Sequence, residues 1–113
     1  MPSEPVRRVW SVAELNSALR DLLENSLTPL WITGEVGNRT LHRSGHVYLT
    51  LKDAKAQIRA VWFSGLQACR RMNLREGDKV EAFGSVSLYE PRGDCQFYVR
   101  KLQPCGVGDL QYR

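Results

Sequence analysis

Apolar residues recur at every second position from Leu30 onward, whereas before it they recur at three and four. The upstream set, Val12, Leu15, Leu19 and Leu22 or Leu23, describes a buried helical stripe, with Glu14, Arg20, Asp21 and Glu24 left to face water. Ser11 followed by Glu14 forms a capping box, and Trp10 can staple onto Leu15 across it. A helix should therefore start at Val12 and be ended by Asn25 and the later Pro29. Downstream, "LWITGEVGNRT" reads as a first strand that Gly34 and Gly37 allow to bend or bulge. "HVYLTLKD" and "QIRAVWF", joined tightly by "AKA", read as a hairpin with Val47, Leu49, Leu51, Ile58, Ala60 and Trp62 inward. "SGLQACRRMNL" predicts a short helix capped by Ser64. "KVEAFGSVSLYE" and "CQFYVRKL" then form a last hairpin around "PRGD".

The order helix, three strands, short helix, two strands predicts a mainly β protein: a five-stranded OB-fold, or Greek-key barrel, with its short helix between strands 3 and 4. An open five-stranded sheet or an SH3-like barrel has a similar strand count, but neither requires a helix at that point. The length of 113 residues suits one domain, expected over 10–105 after a loose lead-in at 1–9 that holds two prolines and three charged side chains.

The expected ligand face follows from strand phase. OB barrels bind oligonucleotides across strands 2 and 3, flanked by the loops between strands 1 and 2 and strands 4 and 5. With the inward set above, His46, Tyr48, Thr50, Lys52, Arg59 and Phe63 point outward. The first flanking loop, "NRTLHRSG", carries Arg39, His42 and Arg43; the second, "YEPRGD", carries Arg92. Aromatic rings stack on unpaired bases and cations neutralise phosphates, so this combination predicts general binding of a single strand without sequence readout. Each position also has a plainer reading. Tyr48 and Phe63 serve equally as rim packing, and Trp31, Trp62, Phe83 and Phe97 as structural aromatics. Tyr89 and Tyr98 read first as a cross-strand pair flanking the last hairpin, with ligand binding as their second reading.

Composition sharpens this picture modestly. Lys and Arg number 16 against 12 acidic residues, a net charge of +4. The basic set is mostly arginine, the side chain that forks onto phosphates and stacks on bases. Cys69, Cys95 and Cys105 form no CxxC pair, which argues against a disulfide framework or zinc site and for a reducing cytoplasm. No apolar run reaches membrane-spanning length, so no membrane partner is expected. His42 and His46 lack a third ligand at diagnostic spacing, "GEVG" lacks the lysine and spacing of phosphate loops, and Ser44 near His46 has no nucleophile elbow. We expect no metal, cofactor or catalytic residue in this segment.

The segments "SVAELNSALRDLLE", "LWITGEVGN", "SGHVYLTLKD", "AQIRAVWF", "GDKVEAFGSVSLYEPRGDCQFYV" and "GVGDLQ" resemble, in order, the N-terminal domain of exodeoxyribonuclease VII large subunits. "GHVYLTLKD" combined with "SLYEPRGD" is the specific part of the match. The resemblance implies an OB-fold that presents single-stranded DNA to a nuclease cutting it into oligonucleotides from either end, without a required metal. It implies further that the catalytic domain and the contacts to the small subunit lie downstream, that 106–113 begins the linker toward them, and that this chain is an excised or truncated N-terminal domain. It assigns DNA binding to Arg39, His46, Tyr48, Lys52, Arg59, Phe63 and Arg92. Two rivals stay open: an OB domain for RNA or tRNA, and a barrel whose outer face docks protein.

Overall fold

The structure is a computed structural model that describes residues 7–105; of the expected lead-in only 7–9 falls inside it, and the expected linker start at 106–113 lies outside. Seven elements follow in order: α1 (Val12–Ser26), β1 (Leu30–Leu41), β2 (Val47–Lys52), β3 (Gln57–Trp62), α2 (Leu66–Met72), β4 (Lys79–Tyr89) and β5 (Asp94–Pro104). The strands close into a barrel ordered β1-β2-β3-β5-β4, with β3 and β5 parallel and every other described pair antiparallel. This is the five-stranded OB barrel expected from the connectivity.

Register gives each strand one inward and one outward face. Val47 pairs with Trp62, Leu49 with Ala60 and Leu51 with Ile58 on the inside. Val36, Val80, Ala82, Phe97 and Val99 join them to fill the core. Cys69 and Leu74, 1% and 2% exposed, bring α2 and the residues after it onto this core. Burial of the larger of these side chains, the valines, leucines and Phe97, worth roughly 1.5–3 kcal/mol each, is the main force closing the barrel.

Turn chemistry sets the connections. Between β2 and β3, Asp53 Oδ1 accepts from the Lys55 and Ala56 amides at 2.8 and 2.9 Å, an Asx turn inside the "AKA" connection. Between β4 and β5, the Gly93 amide donates to Tyr89 O at 2.7 Å, and Gly93 takes the left-handed conformation (φ 71°) that other residues resist. Gly84 has a different reason. The β4–β5 register slips between Phe83 and Gly84, and a β-carbon on Gly84 would overlap the Tyr98 carbonyl.

Several expectations need correction. The capping box forms as read, with the Glu14 amide donating to Ser11 Oγ at 3.0 Å and the Ser11 amide to Glu14 Oε1 at 2.9 Å. Yet most of the expected buried stripe is exposed: Val12, Leu15, Leu19 and Leu22 are 75%, 49%, 38% and 61% accessible, and only Leu23, the alternative fourth member, is half-buried. The helix docks through polar residues instead. Asn16 Nδ2 donates to Glu90 O (2.8 Å), Arg20 pairs with Glu90 (2.8 Å) and with Glu24 (3.0 Å), and Ser87 Oγ donates to Glu24 Oε2 (2.5 Å). Arg20 and Glu24 thus hold α1 to the β4–β5 hairpin rather than only facing water. The helix also runs to Ser26, one residue past Asn25. Ser64 does not cap α2; it adopts φ 56°, and Gly65 is the N-cap. Gly65 is required there because a β-carbon would overlap the Trp62 ring.

Candidate nucleic-acid interface

Strand pairing assembles the outer wall row by row. Tyr48 lies opposite Val61, Val61 beside Tyr98 and Tyr98 opposite Ser85; one row over run Thr50, Arg59, Gln96 and Ser87. The first row crosses four strands, about 14 Å at the ~4.8 Å strand spacing. The β4–β5 turn rises beside it and makes the wall concave. A groove of about 840 Å³ results, lined among others by Asn38, Tyr48, Arg59, Phe63, Arg92 and Tyr98.

Four of the seven residues expected to contact DNA therefore line one groove: Tyr48, Arg59, Phe63 and Arg92. Tyr48 and Phe63 are 41% and 52% exposed, so their rings are open to a ligand. Arg59 has no acidic partner among the described residues, and its charge is unpaired toward the groove. Arg92 pairs with Asp94 at 3.2 Å and lies over the Tyr89 ring at 5.4 Å, a cation–π contact that steadies it at the turn.

The other three sit differently. His46 Nδ1 accepts from the Ser64 amide at 2.9 Å, and its ring meets Phe63 edge-on at 5.1 Å. It orients Phe63. Lys52 is outward at the far end of β2, 4.0 Å from Glu35 and laid over Gly37, beyond the groove lining. Arg39 lies within β1, not in a loop, because β1 runs on to Leu41 through a bulge between Gly37 and Thr40. Its Nη1 donates to Leu74 O, its amide donates to Glu76 Oε2 at 3.0 Å, and its Nε is buried with no partner. The guanidinium is turned toward the segment after α2.

Sequence reasoning put a structural role for Tyr98 ahead of a binding one. Tyr98 and Tyr89 are not cross-strand partners, since Tyr98 faces Ser85 and Tyr89 faces Asp94. Tyr98 stacks instead on Phe63, centroids 5.7 Å apart and planes 7° from parallel. Its hydroxyl donates to Gln96 Oε1 at 3.1 Å, and burial raises its pKa, so it stays a neutral phenol. The available signal was phase: if Phe97 points inward, Tyr98 points outward on a strand that the topology sets beside β3. Trp31 packs at the rim rather than in the core. It is 50% exposed, tilted against Phe83 on the outside of β1 and β4.

His42 Nδ1 is taken up by Ser44 Oγ at 2.7 Å, and no cluster of three metal-ligating side chains occurs among the described residues. Among the same residues no helix is long and apolar enough to cross a membrane.

Barrel, groove and sequence agree on a class: the chain belongs to the family of OB-fold nucleic acid binding domains, whose family model matches residues 10–103. Its curated homologues are exodeoxyribonuclease 7 large subunits. That of Bordetella avium is 50% identical over 104 residues, covering 92% of this chain and 23% of the relative. That of Neisseria meningitidis serogroup A is 47% identical over 102 residues (90% and 23%), and that of Geobacter metallireducens 43% over 107 (95% and 24%). The chain thus spans only 23% to 24% of the length of these relatives. Among solved structures, a chain from a replication protein A heterotrimer bound to single-stranded DNA superposes with a TM-score of 0.58 at 14% identity, covering 76% of this chain and 65% of that one. A chain of the S. pombe Stn1–Ten1 complex gives 0.55 at 15% identity, covering 76% and 64%. At such identities these two likenesses concern the fold.

Proposed function

We propose that this chain is the single-stranded DNA-binding domain of an exodeoxyribonuclease VII large subunit. It holds the strand for a downstream nuclease region that degrades it to oligonucleotides, while the small subunit joins through regions outside these 113 residues. The observation that carries the reading is that Tyr48, Phe63 and Tyr98 line one open groove with Arg59 and Arg92. Unpaired bases stack on the three rings, at roughly 1–3 kcal/mol per base, while the two arginines meet phosphates. A duplex keeps its base faces occupied and gains only the phosphate part. No catalytic role is assigned to any residue here, and the three free cysteines suit a cytoplasmic setting.

The test is fluorescence anisotropy of a labelled unstructured DNA strand at two salt concentrations, with an equal-length duplex and the RNA counterpart alongside. The proposal expects dissociation constants of roughly 10⁻⁴–10⁻⁶ M that weaken with salt and favour single-stranded DNA. Tyr48→Ala combined with Arg59→Ala should abolish binding. Preference for RNA would reassign the ligand, and no binding at low salt would leave the wall as a docking surface for the rest of the enzyme.

A further inference from the structure

The groove does not end at Tyr98. A second cleft of about 820 Å³ shares Phe63, Tyr89, Pro91 and Tyr98 with the first and continues between α1 and the β4–β5 hairpin. Its floor extends the same cross-strand row, from Tyr98 to Ser85, and its far side carries Arg100, Leu27 and Pro29. The stacked Phe63–Tyr98 pair is therefore a ridge between two hollows rather than the edge of one.

The charges of the two hollows differ. In the second, Arg20 lies between Glu24 and Glu90 and is engaged by both, and Glu24 also takes the Ser87 hydroxyl. Arg100 balances the remaining negative charge, and it has no acidic partner among the described residues. A neutral cleft walled by aromatic rings, prolines and serine hydroxyls, with one open guanidinium, suits a nucleobase and a single phosphate. It does not suit a run of phosphates. Arg100 reaches this position because it is the extra residue of β5: Lys101 pairs with Phe83 and Val99 with Gly84, leaving Arg100 unpaired at the slip in register. Bulges re-aim side chains in this way.

We infer that this cleft is a second subsite for the same single strand: a strand crossing the barrel wall passes over the Phe63–Tyr98 ridge, lays its next base against Tyr98, and gives one phosphate to Arg100. The inference rests on the proposed DNA-binding reading and extends the strand's path beyond the barrel wall and its flanking loops.

Strand length separates the two. OB domains take about 4–16 nucleotides, so a strand of about 4 fills the first groove and one of about 12 reaches the second cleft. With the 113-residue chain, each phosphate contact adds about 0.7 to the logarithmic salt slope for a single strand. Arg100→Ala should lower the slope for the long strand by that amount and leave the short strand's affinity and slope unchanged. Ser85→Tyr, which fills the cleft floor, should weaken the long strand selectively, whereas Tyr48→Ala should weaken both. Long-strand binding untouched by Arg100→Ala and Ser85→Tyr would overturn the subsite and leave the first groove standing, as would equal weakening of both lengths by Arg100→Ala. Failure of the unaltered chain to bind either strand would remove both readings together.

Discussion

The barrel carries an aromatic pair on each of two outer walls, and the pairs have different surroundings. Phe63 and Tyr98 stack nearly parallel, with cavities on both sides and Arg59, Arg92 and Arg100 within them. Trp31 and Phe83 meet at 44° on the wall of β1 and β4, beside Glu81 and Gln103, which satisfy each other at 2.9 Å. Neither cleft includes that second pair. Exposure of a large ring is common to both walls and so does not mark a site. What distinguishes the first wall is concavity, built by the β4–β5 turn, together with two cations, Arg59 and Arg100, that have no acidic partner among the described residues.

Substitutions can break this comparison. The largest effect should come from Gly84→Val, on the strand shared by both walls, because the new side chain collides with the Tyr98 carbonyl. We expect a loss of about 1–3 kcal/mol in chemical denaturation, as for other overpacked sites, together with weaker DNA binding. Unchanged stability would mean that β5 is not held where the groove requires it. Tyr98→Ala should weaken single-strand binding by about 1–3 kcal/mol in anisotropy titrations, against no change for Phe83→Ala. Equal losses would erase the distinction between the walls.

The two flanking arginines sharpen it further. Arg92→Ala should reduce the salt slope by about 0.7 with little effect on folding. Arg39→Ala should leave the slope alone and lower stability by about 1–3 kcal/mol, since its guanidinium serves Leu74 O. The smallest effect concerns the helix that supports the groove. The Ser87 hydroxyl and then Arg20 hold the Glu24 carboxyl below its ordinary value of 4.5. A depressed carboxylate stabilises the fold fully above that ordinary value and loses its contribution as pH falls through the lower folded one. Thermal melting should therefore show a weaker pH dependence in that acid window for Glu24→Gln, and an identical one would detach Glu24 from the hairpin.

Local patterns were the legible part. The Ser11–Glu14 box placed the start of α1 at its true residue, because both partners lie within one turn. Period-two alternation placed every inward residue of β2 and β3 correctly, because a core on one side leaves the strand no second choice of phase. Relations between distant segments were not legible. Helical spacing identified the stripe Val12, Leu15, Leu19 and Leu22 or Leu23 but not which face meets the barrel, and polar contacts to Glu90 and Ser87 settled that. Tyr98 entered the groove through the parallel β3–β5 pairing, which joins segments far apart in sequence. Arg39 left it through a bulge whose turning residue, Asn38 at φ 48°, carries no glycine signal.

The most direct test of the central claim is amide chemical-shift mapping of the labelled chain titrated with an unstructured DNA strand. The account predicts shifts clustered on Tyr48, Arg59, Phe63, Tyr98 and the turn residues Arg92 and Gly93, with Trp31, Phe83 and the exposed stripe of α1 unmoved. Shifts centred on Trp31 and Phe83, or on the exposed stripe of α1, would contradict it.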